Sequence, residues 1–187
     1  MKAIILSAGQ GRRLLPLTED QPKCTIPLHG RSILEWQINE LIKFGIGPIH
    51  VVVGFGADKV EKIIARHRSC DHIATLYNPF YALADNLISC WAAKNEMHED
   101  FILLNGDTVF EPAVLERVLQ APANPITLVT DEKPQYDADD MKVIAQNNQL
   151  VRIGKTLASE KVNGESIGMI RFQGTGPQLF CSALEQR

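Results

Sequence analysis

The sequence predicts an α/β fold: a Rossmann-like three-layer α/β/α sandwich around a mixed sheet that is mostly parallel. Short apolar runs alternate along the chain with amphipathic stretches of helical period, which is the pattern of repeated strand–helix units. Several of the runs are apolar on both faces, as parallel strands covered by helices are. The chain has 187 residues, 45% of them hydrophobic, which is enough for one sizeable core. We therefore expect one domain over residues 1–187.

Five apolar runs are predicted to be strands. They read KAIIL from residue 2, IHVVV from 49, IATLY from 73, FILL from 101 and ITLV from 126. The first run is far shorter than the roughly 18 apolar residues that indicate a membrane span, and small and basic residues follow it at once. We interpret it as a buried strand rather than as a secretory signal.

Amphipathic stretches between these runs predict helices. The clearest covers residues 32–44, where Ser32 and Glu35 form an S-x-x-E capping box and Gly45 follows as a stop. The predicted core stripe of this helix consists of Leu34, Ile38, Leu41 and Ile42. Three further helices are expected to begin near Asp58, Asn86 and Pro112. A last helix is expected within PQLFCSALEQ, close to the end of the chain.

The pattern changes towards the C-terminus. The stretch MKVIAQNNQLVRIG, residues 141–154, predicts two antiparallel strands joined at an Asn-Asn turn. A polar, acidic loop, TDEKPQYDADD, precedes it at residues 130–140. A local antiparallel hairpin after a series of strand–helix units makes the predicted sheet a mixed one.

Charge and cysteine content narrow the classes of function. The net charge of −3 and the pI near 5.9 give no overall attraction to nucleic acid or to an anionic membrane. The four cysteines have neither a CxxC pair nor the spacing of a zinc site. We expect a reduced, cytoplasmic protein with no nucleic-acid and no membrane partner, in which any anion is bound by a local cluster of cations.

Residues 6–23, LSAGQGRRLLPLTEDQPK, are the most informative stretch of the chain. This segment follows the first predicted strand and carries two glycines of the kind found in phosphate-binding loops. Leu14 stands where the dinucleotide fingerprint G-x-G-x-x-G has its third glycine, and the GK[ST] ending of a Walker loop is absent. An ordinary turn between a strand and a helix is the plain alternative.

Cations distinguish this segment from an ordinary turn. Arg12, Arg13 and Lys23 lie within a loop that is too long and too basic for a mere connection. Backbone N–H groups at Gly9 to Gly11 can form a concavity for an anion, over which arginine and lysine side chains close. The residues themselves therefore predict a polyphosphate site.

The segment resembles the signature of the nucleotidyltransferases that activate sugar phosphates and phosphorylated alcohols, L-x-A-G-x-G-x-R-L followed by P-L-T and P-K. The stretch LLNGDTVF, residues 103–110, resembles the strand of that family that ends in a magnesium-binding aspartate. YNPFYALADNLISCW, DDMKV, RIGK and GESIGMIRF are similar to the cytidylyltransferase branch, which acts on phosphocholine, inositol 1-phosphate or aminoethylphosphonate. The resemblance covers most of the chain.

The resemblance implies roles for individual residues. Arg13 neutralises the phosphates, and Lys23 reaches the α-phosphate and the attacking group. Asp107 binds Mg²⁺, for which a turn or capping aspartate is the alternative. The residues implied in nucleotide binding are Leu6, Ala8, Gly9, Gln10, Gly11, Asn86 and Ser89. Those implied in acceptor binding are Lys142, Lys155 and Glu165.

Several of these assignments have an open alternative. Asn86 is equally suited to cap a helix, and each of the three acceptor residues is equally suited to the surface. Arg12 departs from the family pattern, which usually has a small hydroxyl residue there. It is either a spare phosphate contact or a solvated charge.

The implied reaction is attack of an acceptor phosphate or phosphonate oxygen on the α-phosphorus of a nucleoside triphosphate, with CTP favoured, Mg²⁺ as cofactor and pyrophosphate as the released product. One alternative is a sugar-1-phosphate nucleotidyltransferase that uses UTP, dTTP or GTP. Another is a non-catalytic nucleotide-binding regulatory domain of the same fold. A homodimer is left open.

The resemblance also implies a further strand, beyond the one matching GMIRF, with an acidic residue that shares the metal with Asp107. The sequence ends at Arg187, soon after PQLFCSALEQ. We therefore expect the domain over residues 1–187 to be a C-terminally truncated form, which binds nucleotide but turns it over poorly.

Overall fold

The structure is a computed structural model that describes residues 1–83, 86–158 and 161–186. Its strands are β1 (Lys2–Ser7), β2 (Pro27–Leu28), β3 (Arg31–Ser32), β4 (Ile49–Val53), β5 (Ile73–Tyr77), β6 (Phe101–Asn105), β7 (Ile126–Asp131), β8 (Lys142–Gln146), β9 (Gln149–Gly154) and β10 (Gly164–Phe172). Its helices are α1 (Ile33–Lys43), α2 (Ala57–Ala65), α3 (Asn86–Ala92), α4 (Pro112–Gln120) and α5 (Gly176–Glu185). The five predicted strands and the predicted helices are confirmed.

Eight strands form the central sheet in the order β5-β4-β1-β6-β10-β8-β9, and β7 also pairs with β10. β1 is parallel to β4 and β6, and β4 is parallel to β5. β10 is antiparallel to β6, β7 and β8, and β9 is antiparallel to β8. Within the central sheet as described, only β9 and β10 therefore run against the other strands, which confirms a mixed, mostly parallel sheet.

Helices cover both faces of the sheet. Helices α1, α2 and α4 pack against one face through a cluster that includes Leu34, Val60 and Leu115. Helices α3 and α5 pack against the other face through a cluster that includes Cys90 and Leu184. Successive residues of β1 and β6 alternate between the two clusters, as the period of two in a strand requires. This arrangement confirms the three layers.

Local sequence signals explain how several elements begin and turn. The Ser32 hydroxyl accepts a hydrogen bond from the Glu35 amide, and the Glu35 carboxylate accepts one from the Ser32 amide, so the predicted capping box is present. Pro112 occupies the first turn of α4, where its missing N–H leaves no bond unmade. Asn147 and Asn148 both have positive φ, at 52° and 61°, as a tight turn between β8 and β9 requires.

The order of the parallel strands fixes where a ligand can bind. From β1 the chain passes outward through β4 to β5, then crosses to β6 on the other side of β1. The strand order reverses between β1 and β6, and loops leaving such a point diverge to opposite sides of the sheet. A crevice is therefore expected beyond the carboxyl ends of these two strands. Within the described ranges, no helix has the length and apolar character needed to cross a membrane.

Candidate active site

A cleft of about 530 Å³ lies beyond the carboxyl ends of β1 and β6. One wall is the loop after β1, which contains Gly9, Gly11 and Arg13, and the floor includes Gly106 and Asp107 after β6. The opposite wall comes from residues 139–141, Lys155 and residues 165–167 of β10. The cleft therefore brings together segments that are far apart in the sequence.

Gly11 shapes the loop after β1. Its φ of 75° lies in the left-handed region, and a Cβ at this position would approach Lys23 Cβ to 3.0 Å. The buried Thr18 hydroxyl donates to the Gly11 carbonyl at 2.9 Å, so the loop is folded back on itself. In the folded loop, the side chain of Lys23 lies directly beside Gly11.

Gly106 allows the ends of β1 and β6 to come into contact. Its N–H donates to the Leu6 carbonyl at 2.8 Å. A Cβ on Gly106 would lie 2.3 Å from Ser7 Oγ and 2.7 Å from the Leu6 carbonyl oxygen, which no side chain can tolerate. The next residue, Asp107, consequently lies against the glycine loop, where its Oδ2 accepts a hydrogen bond from Lys23 Nζ at 2.6 Å.

Gln37 anchors the loop that carries Asp107. This side chain is 2% exposed, and its Nε2 donates to the carbonyls of Asn105 and Thr108, both at 2.8 Å. On the other side, the Thr108 hydroxyl donates to the Ile167 carbonyl at 2.8 Å. The sequence analysis missed Gln37. The signal that would have found it is a polar residue among the apolar positions of the stripe of α1.

Acidic side chains line the opposite wall of the cleft. Asp139 Oδ2 is 3.1 Å from Arg13 Nη1, in an ion pair whose two side chains are 63% and 72% exposed. Lys133 Nζ lies 2.8 Å from Glu165 and 2.9 Å from Asp140. Hydrogen bonds to Glu165 and then to Asp140 raise the pKa of Lys133, and the same lysine lowers the pKa of Asp140. Lys133, Asp139 and Asp140 were not singled out from the sequence.

Nine of the residues expected at the site line this cleft, namely Leu6, Gly9, Gly11, Arg13, Lys23, Asn86, Asp107, Lys155 and Glu165. Asn86 begins α3, and its Nδ2 donates to Asn105 Oδ1 at 3.0 Å. Residues 84–85, which belong to the stretch YNPFYALADNLISCW, lie outside the described residues. The geometry thus collects the glycine loop, two of the expected cations and the expected metal ligand.

Four expected residues lie outside the lining of the cleft. Ala8 is buried, and its carbonyl accepts the Phe55 amide at 2.9 Å. The buried Ser89 hydroxyl accepts from Asn78 Nδ2 at 3.0 Å. Gln10 lies at the side of the loop, where its Oε1 accepts from Arg12 Nε at 3.3 Å.

The fourth of these residues is Lys142. It is 4% exposed, and its Nζ donates to the carbonyls of Asp137 and Lys155 at 2.5 and 3.0 Å. This ammonium therefore ties the acidic loop to the segment after β9, rather than facing the cleft.

The cleft is suited to an anion and a cation rather than to nucleophilic catalysis by the protein. Cys24 lies at its floor, but burial raises the pKa of the thiol to about 11, so it stays protonated. The described residues contain no group of three or more His, Cys, Asp or Glu side chains able to hold a metal ion alone. Mg²⁺ needs only one or two carboxylates when substrate phosphates supply further oxygens, and the partly exposed Asp107 carboxylate meets that need.

Comparisons with known proteins place this architecture among nucleotide-transferring proteins. The family model described as the MobA-like NTP transferase domain matches residues 3–158. A CTP:phosphoglutamine cytidylyltransferase of Campylobacter jejuni subsp. jejuni is 27% identical over 192 residues, which cover 92% of this chain and 73% of that protein. A CMP-5'-(3-aminopropyl)phosphonate synthase of Streptomyces rubellomurinus is 35% identical over 122 residues, 65% of this chain but 19% of that protein.

A solved structure supports the same relationship. The inositol-1-phosphate CTP transferase from T. maritima superposes with a TM-score of 0.78 at 25% identity, over 95% of this chain and 72% of that one.

Proposed function

Since the chain belongs to the family of MobA-like NTP transferase domains, we propose that it transfers a cytidylyl group from CTP to a small phosphorylated alcohol or phosphonate and releases pyrophosphate. The family membership confirms the resemblance stated from residues 6–23. The observation that carries the proposal is the convergence of the glycine loop, Lys23 and Asp107 in one cleft at the point where the strand order reverses.

The glycine loop and its cations suit a triphosphate. Backbone N–H groups at Gly9 to Gly11 supply fixed donors, and Arg13 and Lys23 supply positive charge on the same side of the cleft. Among the described residues, Arg13 is held only by an exposed ion pair with Asp139, which contributes little and is readily exchanged for a phosphate. The loop therefore offers a binding site without any large rearrangement of the backbone.

The acceptor supplies its own nucleophile. A phosphate monoester has a second pKa of about 6, so an oxygen is already ionised near neutral pH and needs no protein base. This oxygen forms a bond to the α-phosphorus, the bond from the α-phosphorus to the bridging oxygen breaks, and pyrophosphate leaves with that oxygen. The protein's task is to align the two anions and to neutralise the charge that develops.

Lys23 is the side chain best placed for that neutralisation. Its stem lies against Gly11, and its ammonium reaches Asp107 at the floor of the cleft. Positive charge fixed beside the α-phosphate stabilises the transition state more than the bound substrates. Lys23 must release Asp107 as it turns to the phosphate.

Asp107 is the residue that would hold Mg²⁺. When bound, this ion would supply positive charge that neutralises the triphosphate. Gln37 and Thr108 fix the backbone on both sides of Asp107, so the carboxylate is presented to the cleft at a constant position.

The acceptor would occupy the opposite wall, where Lys155 and Glu165 line the cleft. The matched proteins are named for phosphoglutamine, an aminopropylphosphonate and inositol 1-phosphate, which share a phosphoryl group but differ at the other end. Phosphocholine, inositol 1-phosphate and aminoethylphosphonate are therefore suitable test acceptors.

The experiment is a matrix of CTP, UTP, GTP and dTTP against these acceptors and a hexose 1-phosphate, with and without Mg²⁺, in which thermal shift reports binding and pyrophosphate release reports turnover. We expect CTP to stabilise the protein and to be turned over in preference to the other nucleotides. Turnover of a hexose 1-phosphate with UTP, dTTP or GTP, and none with CTP, would instead establish the sugar-nucleotide alternative. Nucleotide binding without pyrophosphate release from any pair would indicate a non-catalytic domain.

A further inference from the structure

A second concavity, of about 400 Å³, lies between α1 and the turn after α2. Its lining consists of Arg31, Glu35, Asn39, Ile42 and residues 66–69, and it shares no residue with the cleft. We call it the basic pocket, because three guanidinium groups and one carboxylate line it. The chain as a whole is acidic, with a net charge of −3, so this concentration of positive charge is local.

The arginines of the basic pocket make no close contact with a carboxylate in the described residues, although the charge of Arg31 acts on Glu35. Within the described part of the chain, none of Arg31, Arg66 and Arg68 forms an ion pair. Glu35 is engaged elsewhere, because its Oε2 accepts hydrogen bonds from the Ser32 amide and hydroxyl at 2.8 and 2.7 Å. Three like charges that face one concavity repel one another, and an anion in the concavity relieves that repulsion.

The rest of the wall is held in place by hydrogen bonds. The Ser69 amide donates to His67 Nδ1 at 3.2 Å, so His67 Nε2 carries the hydrogen and donates to Asn39 Oδ1 at 3.3 Å. Asn39 Nδ2 in turn donates to the Glu35 carbonyl at 2.6 Å. These bonds join the turn after α2 to α1 and leave the arginine donors to face the pocket.

The position of these arginines is only partly explained by the helix before them. Arg66 and Arg68 follow the C-terminal end of α2, where the helix dipole favours a cation. Arg31 comes from β3 instead, and its guanidinium lies over the Trp36 ring, 5.8 Å from the centroid. Cations from two separate segments therefore line the same concavity. The dipole of α2 explains those of Arg66 and Arg68 but not that of Arg31.

We propose that the basic pocket binds the phosphate group of a small molecule. Arginine recognises phosphate through paired N–H donors, and the charges of the three arginines outweigh that of a phosphate dianion. The volume lies within the range of small-molecule sites. The ligand is either a free inorganic phosphate or pyrophosphate, or a phosphate ester of a small alcohol, since these share the group that the arginines recognise. This site does not depend on the proposed reaction.

The test is a titration of ¹⁵N-labelled protein with inorganic phosphate, pyrophosphate or glycerol phosphate, in about 150 mM sodium chloride, where exposed charges are screened beyond about 8 Å. Backbone amide shifts separate the basic pocket, reported by Arg68 and Ser69, from the cleft, reported by Gly9 and Gly11. We expect saturable shifts at Arg68 and Ser69 with at least one of the three ligands. The tightest of them identifies whether the natural source is a free anion or an ester.

Two variants and a control locate the binding. R66Q/R68Q is expected to weaken the affinity for the phosphate ligand, measured from the shift of the Ser69 amide, at least about tenfold, because charge-assisted hydrogen bonds are lost. Arg31→Gln is expected to weaken the affinity measured from the same amide shift, although Arg31 lies on another segment. R117Q/R152Q removes two exposed arginines elsewhere and is expected to bind as the wild type does.

The amide spectra also report whether each variant is folded. Shifts confined to Gly9 and Gly11, equal shifts with further sodium chloride, or unchanged binding by both R66Q/R68Q and Arg31→Gln would overturn the proposal.

Discussion

Lys23 Nζ lies 2.6 Å from Asp107 Oδ2, although the two residues are 84 positions apart in the sequence. Both side chains are about one-third exposed, at 32% and 38%, and both line the cleft. Each side chain therefore has a protein partner that a ligand can replace. A phosphate can take the place of Asp107 beside Lys23, and a divalent cation can take the place of Lys23 beside Asp107. Under the proposed function, this exchange of partners would link occupation of the phosphate site to that of the metal site.

Replacing Lys23 by alanine tests the catalytic assignment. We expect Lys23→Ala to lower the rate of pyrophosphate release at least about 100-fold, because it removes a charge used mainly in the transition state. Lys62→Ala is the matched control, since Lys62 forms an exposed pair with Asp58 on α2. Circular dichroism checks folding, and near-normal turnover by folded Lys23→Ala would remove Lys23 from the mechanism.

Replacing Gln37 by leucine tests the anchor of the Asp107 loop. The variant removes the side-chain donor from the carbonyls of Asn105 and Thr108, although the Asn105 carbonyl keeps the Thr108 amide, so we expect a loss of about 1–3 kcal/mol in the free energy of unfolding. We also expect turnover to fall about 10- to 100-fold at a temperature where the variant is fully folded, because a displaced carboxylate misaligns the reacting groups. Gln120→Leu, at an exposed position of α4, is the control. Full turnover together with lower stability would show that the anchor supports the fold but does not position Asp107.

The parts of the fold that could be predicted are those encoded by neighbouring residues. The Ser32–Glu35 capping box, the Asn147–Asn148 turn and the apolar strands each depend on a few consecutive positions. The pairing of β10 with three strands depends on residues far apart in the chain. Neither this pairing nor the bulge of β10 between Ser166 and Ile170 can be inferred from a local pattern.

The residues of the site also fall into those that neighbouring residues predict and those that tertiary packing determines. The glycine loop and Asp107 follow directly from strands β1 and β6, so the topology brings them together once the strand order is known. Asp139 and Asp140 belong to a polar loop, and only tertiary packing places them opposite Arg13. Lys142 looked equally suited to a ligand, but the carbonyls of Asp137 and Lys155 surround its ammonium. A side chain's direction relative to the cleft is decided by such contacts.

The capping box of α1 predicts a pH dependence. Burial by itself raises the pKa of Glu35, but hydrogen bonds from the Ser32 side chain and backbone, with the charges of His67 and Arg31, hold it below its ordinary value of 4.5. A lowered pKa in the folded state means that the Glu35 contribution is complete above about pH 4.5 and is lost as the pH falls through the lower, folded value.

Glu35→Gln keeps an acceptor for the Ser32 amide but cannot ionise. We therefore expect it to be less stable than the wild type at pH 7, by less than about 1 kcal/mol, and the difference to shrink as the pH falls below about 4.5. Urea unfolding between pH 3 and 7 measures this difference. Glu61→Gln removes an exposed carboxyl of α2 as a control. A difference for Glu35→Gln that is constant over this range would contradict the assignment.

Replacement of Arg171, which lies away from the cleft, is expected to lower stability strongly. This residue is 1% exposed, and its guanidinium donates to the carbonyls of Val118, Leu119, Ala121 and Pro122 at the C-terminal end of α4. Desolvation lowers its pKa, but an arginine keeps its charge, and that charge meets the negative end of the helix. Arg171→Met fills a similar volume but removes the guanidinium donor from all four carbonyls, of which that of Pro122 keeps the Asn124 amide, so we expect a loss of at least about 2 kcal/mol in urea unfolding. Arg171→Lys has fewer donors in a different geometry, so its free energy of unfolding should lie between those of the wild type and Arg171→Met. Pyrophosphate release per folded molecule should stay near that of the wild type, and equal stability of all three proteins would show that the helix end needs no cap.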